Sequence, residues 1–92
     1  MVFEDYKTQA VKALINNFNA EHEDEKDGGT ITINGVFHCH TNSIEIDNGI
    51  VCVKRYIDNL VIITSNIYVE DIVEMYFIDD MFNTVSLNNI EF

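Results

Sequence analysis

Two Asn-Gly pairs, Asn34-Gly35 and Asn48-Gly49, constrain this chain more than any other feature. β-branched residues flank both: Thr30 to Ile33 and Val36 to His40 around the first, Ile44 to Ile46 and Ile50 to Tyr56 around the second. Asn and Gly tolerate the positive φ that a two-residue hairpin turn requires, so each pair predicts a tight reversal between antiparallel strands. Asp58-Asn59 predicts a further reversal into a strand from Leu60 to Thr64. Connections this short imply a meander of three or four antiparallel strands.

Ahead of the meander the period changes. Phe3, Tyr6, Ala10, Val11, Leu14, Ile15 and Phe18 recur at the spacing of one helical stripe, and His22 continues it. The charged run from Glu21 to Asp27 and the Gly28-Gly29 pair then end the helix. From Tyr68 to Ile78, Val69, Ile72, Val73 and Tyr76 fit one face of a second helix, although the β-branched and aromatic content suits a strand as well. The tail from Thr84, with Val85, Leu87 and Ile90, suits an edge strand. With 92 residues, 47% of them hydrophobic, the chain has material for one modest core. The predicted architecture is therefore one α+β domain over residues 1–92: an N-terminal helix on a small antiparallel meander sheet, with a second helix near Tyr68–Ile78. A domain of this size gains from a staple such as a metal ion or a dimer interface.

Histidines and cysteines gather between positions 22 and 52. Strand alternation puts His38 and His40 on one face and Cys39 on the other. A tight turn at Asn34-Gly35 makes Ile31, Ile33, Val36, His38 and His40 co-facial, toward the helix stripe that carries His22. A structural zinc held by His22, His38, His40 and Cys52 is the metal site this grouping predicts, since zinc accepts imidazole and thiolate ligands in a tetrahedral shell. Cys39 replaces a histidine if the strand is bulged, and Asp27 is a further candidate ligand. Ordinary packing, with the thiols acting as small hydrophobes, accounts for the same residues.

Charge narrows the function classes. The chain carries 16 Asp plus Glu against 5 Lys plus Arg, a net charge of -11. Such a surface repels nucleic acid and anionic lipid and attracts basic partners. Two carboxylate groups stand out: Glu21, Glu23, Asp24, Glu25 and Asp27, then Glu70, Asp71, Glu74, Asp79 and Asp80. Either presents a row of charge that imitates a phosphate backbone to a groove lined with Lys and Arg. Solubility alone also accounts for surface acidity. Catalysis is not expected. Cys39 is turned away from its flanking histidines, the carboxylate pairs sit at positions suited to solvated charge, and Gly28-Gly29 lacks the pattern of a phosphate loop. Reduced cysteines, with neither a signal-like N-terminus nor an apolar run of spanning length, predict a cytoplasmic protein without a membrane partner. The absence of Pro and Trp, with abundant Ile and Asn, suits an AT-rich coding source such as low-GC bacteria and their phages.

In size, acidity, α+β pattern and Asn/Ile-rich composition the whole chain resembles the small acidic anti-CRISPR proteins of phages, especially those that inhibit Cas9. That class shares no sequence signature, so the resemblance assigns no binding residue. It implies a DNA-mimicking inhibitor that binds Cas9 and prevents guide or target DNA from loading. The histidine and cysteine cluster would mark a zinc-containing member. The other expectation is a phage structural or regulatory protein that homodimerises through an exposed sheet edge.

Overall fold

A computed structural model describes residues 5–22, 28–57 and 61–90. The Asp58-Asn59 turn and the acidic residues Glu23, Asp24, Glu25 and Asp27 lie outside them. The order of elements is α1 (Tyr6–His22), β1 (Gly29–Ile33), β2 (Val36–Asp47), β3 (Ile50–Ile57), β4 (Val61–Tyr68), a 3-10 turn at Val69–Asp71, β5 (Met75–Ile78) and β6 (Thr84–Ser86). All strand pairings are antiparallel, in one sheet ordered β4-β3-β2-β1-β5-β6. The α+β expectation, one N-terminal helix on an antiparallel sheet, holds.

Local chemistry accounts for the start of this fold. Asp5 opens α1 by accepting a hydrogen bond from Thr8 N at 2.8 Å, which satisfies a backbone donor that the first helical turn leaves unpaired. Hydrogen bonding by the Thr8 side chain, and after it this backbone bond, holds the Asp5 carboxyl below its ordinary value. Ala10, Val11, Leu14, Ile15, Phe18 and His22 form the buried stripe of the helix. Val11, Leu14, Ile15 and Phe18 share one buried cluster with Ile31, Ile33, Ile44, Val51, Val53, Met75 and Phe77 of the sheet and with Ile72 just before β5. Phe18 meets Phe77 edge to face, with centroids 5.3 Å apart. Both Asn-Gly pairs adopt positive φ at both residues, 51° and 80° at Asn34-Gly35, 52° and 76° at Asn48-Gly49. These are the turns whose twist matches paired strands.

β2 is the long strand on which two half-sheets meet. Its first part pairs with β1 as far as Thr41, and its second part pairs with β3 from Thr41 to Asp47. The register slips on both sides near this junction, and His40 has a φ of 57°. An extra residue in one strand reverses the alternation beyond it. Thr41, not His40, is therefore buried on the core side, and its hydroxyl donates to the His38 carbonyl at 2.9 Å. Beyond the junction the helix takes the place of a neighbouring strand. The Asn19 amide donates to Ile44 O at 2.9 Å and accepts from Ile44 N at 3.1 Å.

The second helix expected near Tyr68–Ile78 is instead a single 3-10 turn followed by β5. Ile72 is buried as expected, but Val73 is 88% exposed, and from Met75 burial alternates with period two. The cause is distant in sequence. Asn34 accepts hydrogen bonds from Val73 N at 2.7 Å and Glu74 N at 3.0 Å and donates to Asp71 O at 2.8 Å. Ile33 and Thr32 then pair with Met75 and Tyr76. Backbone groups held this way are not free to close helical turns. The tail does supply an edge strand, β6.

Candidate functional site

Glu21 of the first carboxylate group and Asp80 of the second meet at one place. Glu21, in the last turn of α1, accepts a hydrogen bond from Asp80 N, so the helix end is fastened to the β5–β6 loop. Burial holds the Glu21 carboxyl above its ordinary value. The nearby Asp80 carboxylate adds to this rise, and the hydrogen bond from Asp80 N opposes it.

The loop itself is closed by its own backbone. Asp79 N donates to Asn83 O at 2.9 Å, and Phe82 N donates to Asp79 O at 3.0 Å. The Asp79 carboxylate accepts from Met81 N at 2.9 Å and from Asn83 N at 2.8 Å. This network presents Met81 and Phe82 outward, 80% and 90% exposed. Phe82 also has a φ of 62°. A bulky residue at positive φ costs roughly 1–3 kcal/mol. Phe82 recovers none of that through burial.

Glu70, Asp71 and Glu74 are exposed at a different place. They belong to the 3-10 turn and the segment after it, which Asn34 ties to the β1–β2 turn, and Lys7 Nζ donates to the Glu70 carbonyl at 3.3 Å. Beside these carboxylates, Tyr68 is exposed and Tyr76 half-buried. Tyr76, Thr30, Thr32, Phe37 and Ile78 line a shallow groove of about 210 Å³ on the side of the sheet facing away from α1.

The predicted metal ligands are distributed otherwise than alternation suggested. His22 is buried, its Nδ1 at 2.9 Å from the Phe18 carbonyl and its ring stacked 4.2 Å from that of Phe18. The ring fills the space a Cβ at position 29 would need, so only glycine fits there. His38 is buried opposite Ile31. Burial, and after it the charge of Arg55, hold its pKa below the ordinary histidine value. Arg55 is held there by donating to the Cys39 carbonyl at 2.6 Å.

His40 is exposed, because the bulge turns it off the core face. His38 and His40 therefore do not share a face as regular alternation predicts. Cys52 lies between Val51 and Val53, both fully buried in the core, and so projects from the opposite side of the sheet from His38. Cys39 and Cys52 are both half-buried free thiols. Among the described residues no three His, Cys, Asp or Glu side chains gather at one point.

Sequence reasoning passed over Met81 and Phe82. The signal was present: two large apolar residues directly after Asp79-Asp80, in a stretch too short to belong to a core element. No helix among the described residues is long and apolar enough to cross a membrane. Comparison of the chain with family models, curated proteins and solved structures finds no match.

Proposed function

We propose that this chain is a binding protein, not an enzyme, and that it occupies a basic surface of a protein partner of the kind that holds nucleic acid. One observation carries the reading: an acidic platform of Glu21, Asp79 and Asp80, fastened by the Glu21 to Asp80 hydrogen bond, from which Met81 and Phe82 project into solvent. Protein–protein anchors combine a large apolar residue at the centre with polar groups at the rim. Here the centre is preformed by the Asp79 hydrogen bonds, so little ordering is lost on docking. The rim is acidic, and a net charge of -11 steers basic surfaces toward it. Carboxylates in a row meet Arg and Lys side chains as phosphates do.

Cas9 is the partner to test first, on the resemblance to small acidic anti-CRISPR proteins, and blocked loading of guide or target DNA is the proposed effect. Binding of the purified chain to Cas9, with and without guide RNA, is measured by biolayer interferometry. Binding that weakens steeply with salt and is competed by nucleic acid supports the reading. A chain that binds no Cas9 orthologue removes that partner. Binding insensitive both to salt and to charge reversal at Asp79 and Asp80 removes the acidic-mimic reading as a whole.

A further inference from the structure

The other end of the sheet carries a surface that the acidic-platform reading leaves unused. β4 is an edge strand of eight residues with the sequence VIITSNIY. It contains no charged residue and no proline, and it pairs with β3 through eight consecutive positions without a register slip. Edge strands in soluble proteins are blunted by shortness, charge, proline or a bulge. β4 has none of these four devices. Among the described residues no strand pairs with its other side, which presents a regular row of backbone donors and acceptors about 26 Å long at 3.3 Å per residue.

We infer that β4 pairs antiparallel with β4 of a second copy of this chain, forming one continuous sheet across a two-fold axis. Charge selects the occupant. A neutral edge gives a basic partner nothing to recognise, whereas for two chains of net charge -11 it is a line of approach that brings no pair of like charges into contact. An antiparallel strand is also self-complementary, so the pairing closes at two copies.

The faces restrict the register to an axis through a residue. Opposed residues in an antiparallel pair share a face, so an axis through a residue merges like faces, and an axis between residues sets the core side of one copy against the outer side of the other. An axis through Ser65 opposes positions 62 to 68 and places Thr64 opposite Asn66 of the second copy. It also extends the core side, where Ile67 packs on the buried cluster and is only half covered. This pairing is independent of the acidic platform and stands whether or not a basic partner exists.

Light scattering coupled to gel filtration tests it, across a concentration range of about a hundredfold through the micromolar region. The mass rises from one chain toward two, and more readily at high salt, because screening relieves the repulsion between acidic copies. Thr64 and Asn66 are both exposed. In the T64E/N66E variant, glutamates face each other across the axis and the mass stays at one chain, with an unchanged circular dichroism spectrum. In T64E/N66K, opposite charges face each other and the mass again approaches two. Should T64E/N66E unfold, S65C in a C39S/C52S background decides alone: oxidation links two chains through position 65. A wild-type chain that stays at one copy over the whole range overturns the inference. So does a T64E/N66E dimer as strong as wild type, or an S65C chain that remains unlinked.

Discussion

The two edges of the sheet are built on opposite plans. At the β6 edge the strand is three residues long, and the loop leading into it carries Asp79, Asp80, Met81 and Phe82 on a network of short-range hydrogen bonds. At the β4 edge the strand is eight residues long, regular and uncharged. The first edge keeps little backbone free and displays side chains. The second displays backbone and keeps charge away. Contacts made through charged side chains are selective and sensitive to salt, whereas contacts made through backbone are indifferent to sequence and suit a copy of the same strand. In the proposed reading, one sheet thus offers a surface for a basic partner at one end and for itself at the other.

The sharpest division between the edges comes from Phe82→Ala. Loss of a central anchor removes about 2 kcal/mol or more of binding, so affinity for the basic partner falls about thirtyfold or further. Self-association stays as it is, measured by light scattering on the same preparation. An equal loss of both would break the comparison, because it would place the two activities on one surface.

Salt gives the next largest effect, with opposite signs at the two edges. Raising ionic strength from about 50 to 500 mM weakens partner binding by about tenfold and strengthens the β4 pairing several-fold, as read by interferometry and light scattering respectively.

Acidification separates the half-sheets. His38 has a pKa depressed by burial and by Arg55, so it binds a proton less readily in the folded than in the unfolded chain. Its stabilising contribution is present above the unfolded value of about 6.5 and is lost as pH falls through the lower, folded value. The melting temperature drops by on the order of a few degrees across that window. Hydrogen exchange then shows β1 and the first part of β2 losing protection ahead of β3 and β4. Simultaneous loss in both halves would sink the distinction.

The smallest change expected is from Glu21→Gln. The amide oxygen keeps the bond from Asp80 N and removes the charge that burial and Asp80 disfavour. Because the folded carboxyl value is raised, the penalty of the charged form is absent below the unfolded value and grows as pH rises through the folded one. The variant is more stable than wild type at neutral pH by about a few tenths of a kcal/mol, the scale of exposed charge pairs. The gain disappears near pH 4, where both states carry the proton. Thermal melts at the two pH values measure it.

Much of this was legible in the residues themselves. The stripe of α1 from Ala10 onward, both Asn-Gly reversals, the strands they join and the β6 tail follow from preferences that act within a few positions, whereas Tyr6, on the same spacing, is exposed. The second helix was misread because Val69, Ile72, Val73 and Tyr76 have helical spacing, while the groups that overrule it, Asn34 and β1, lie some forty positions away. The facing of His40 was missed for a related reason. Alternation is a rule for regular strands, and nothing local marks the bulge that turns His40 outward and Thr41 in.

By itself the sequence determined the reversals and the helix, because positive φ, capping and apolar periodicity are properties of a residue and its near neighbours. It also determined the charge, which is a matter of composition. Only the tertiary structure decided that Glu21 meets Asp80, that Met81 and Phe82 stand clear of the core, that His38 and Cys52 lie on opposite sides of the sheet, and that β4 is left at an edge. Each of these depends on which distant segments pair, and that choice is made by the burial and hydrogen bonding of the whole chain at once.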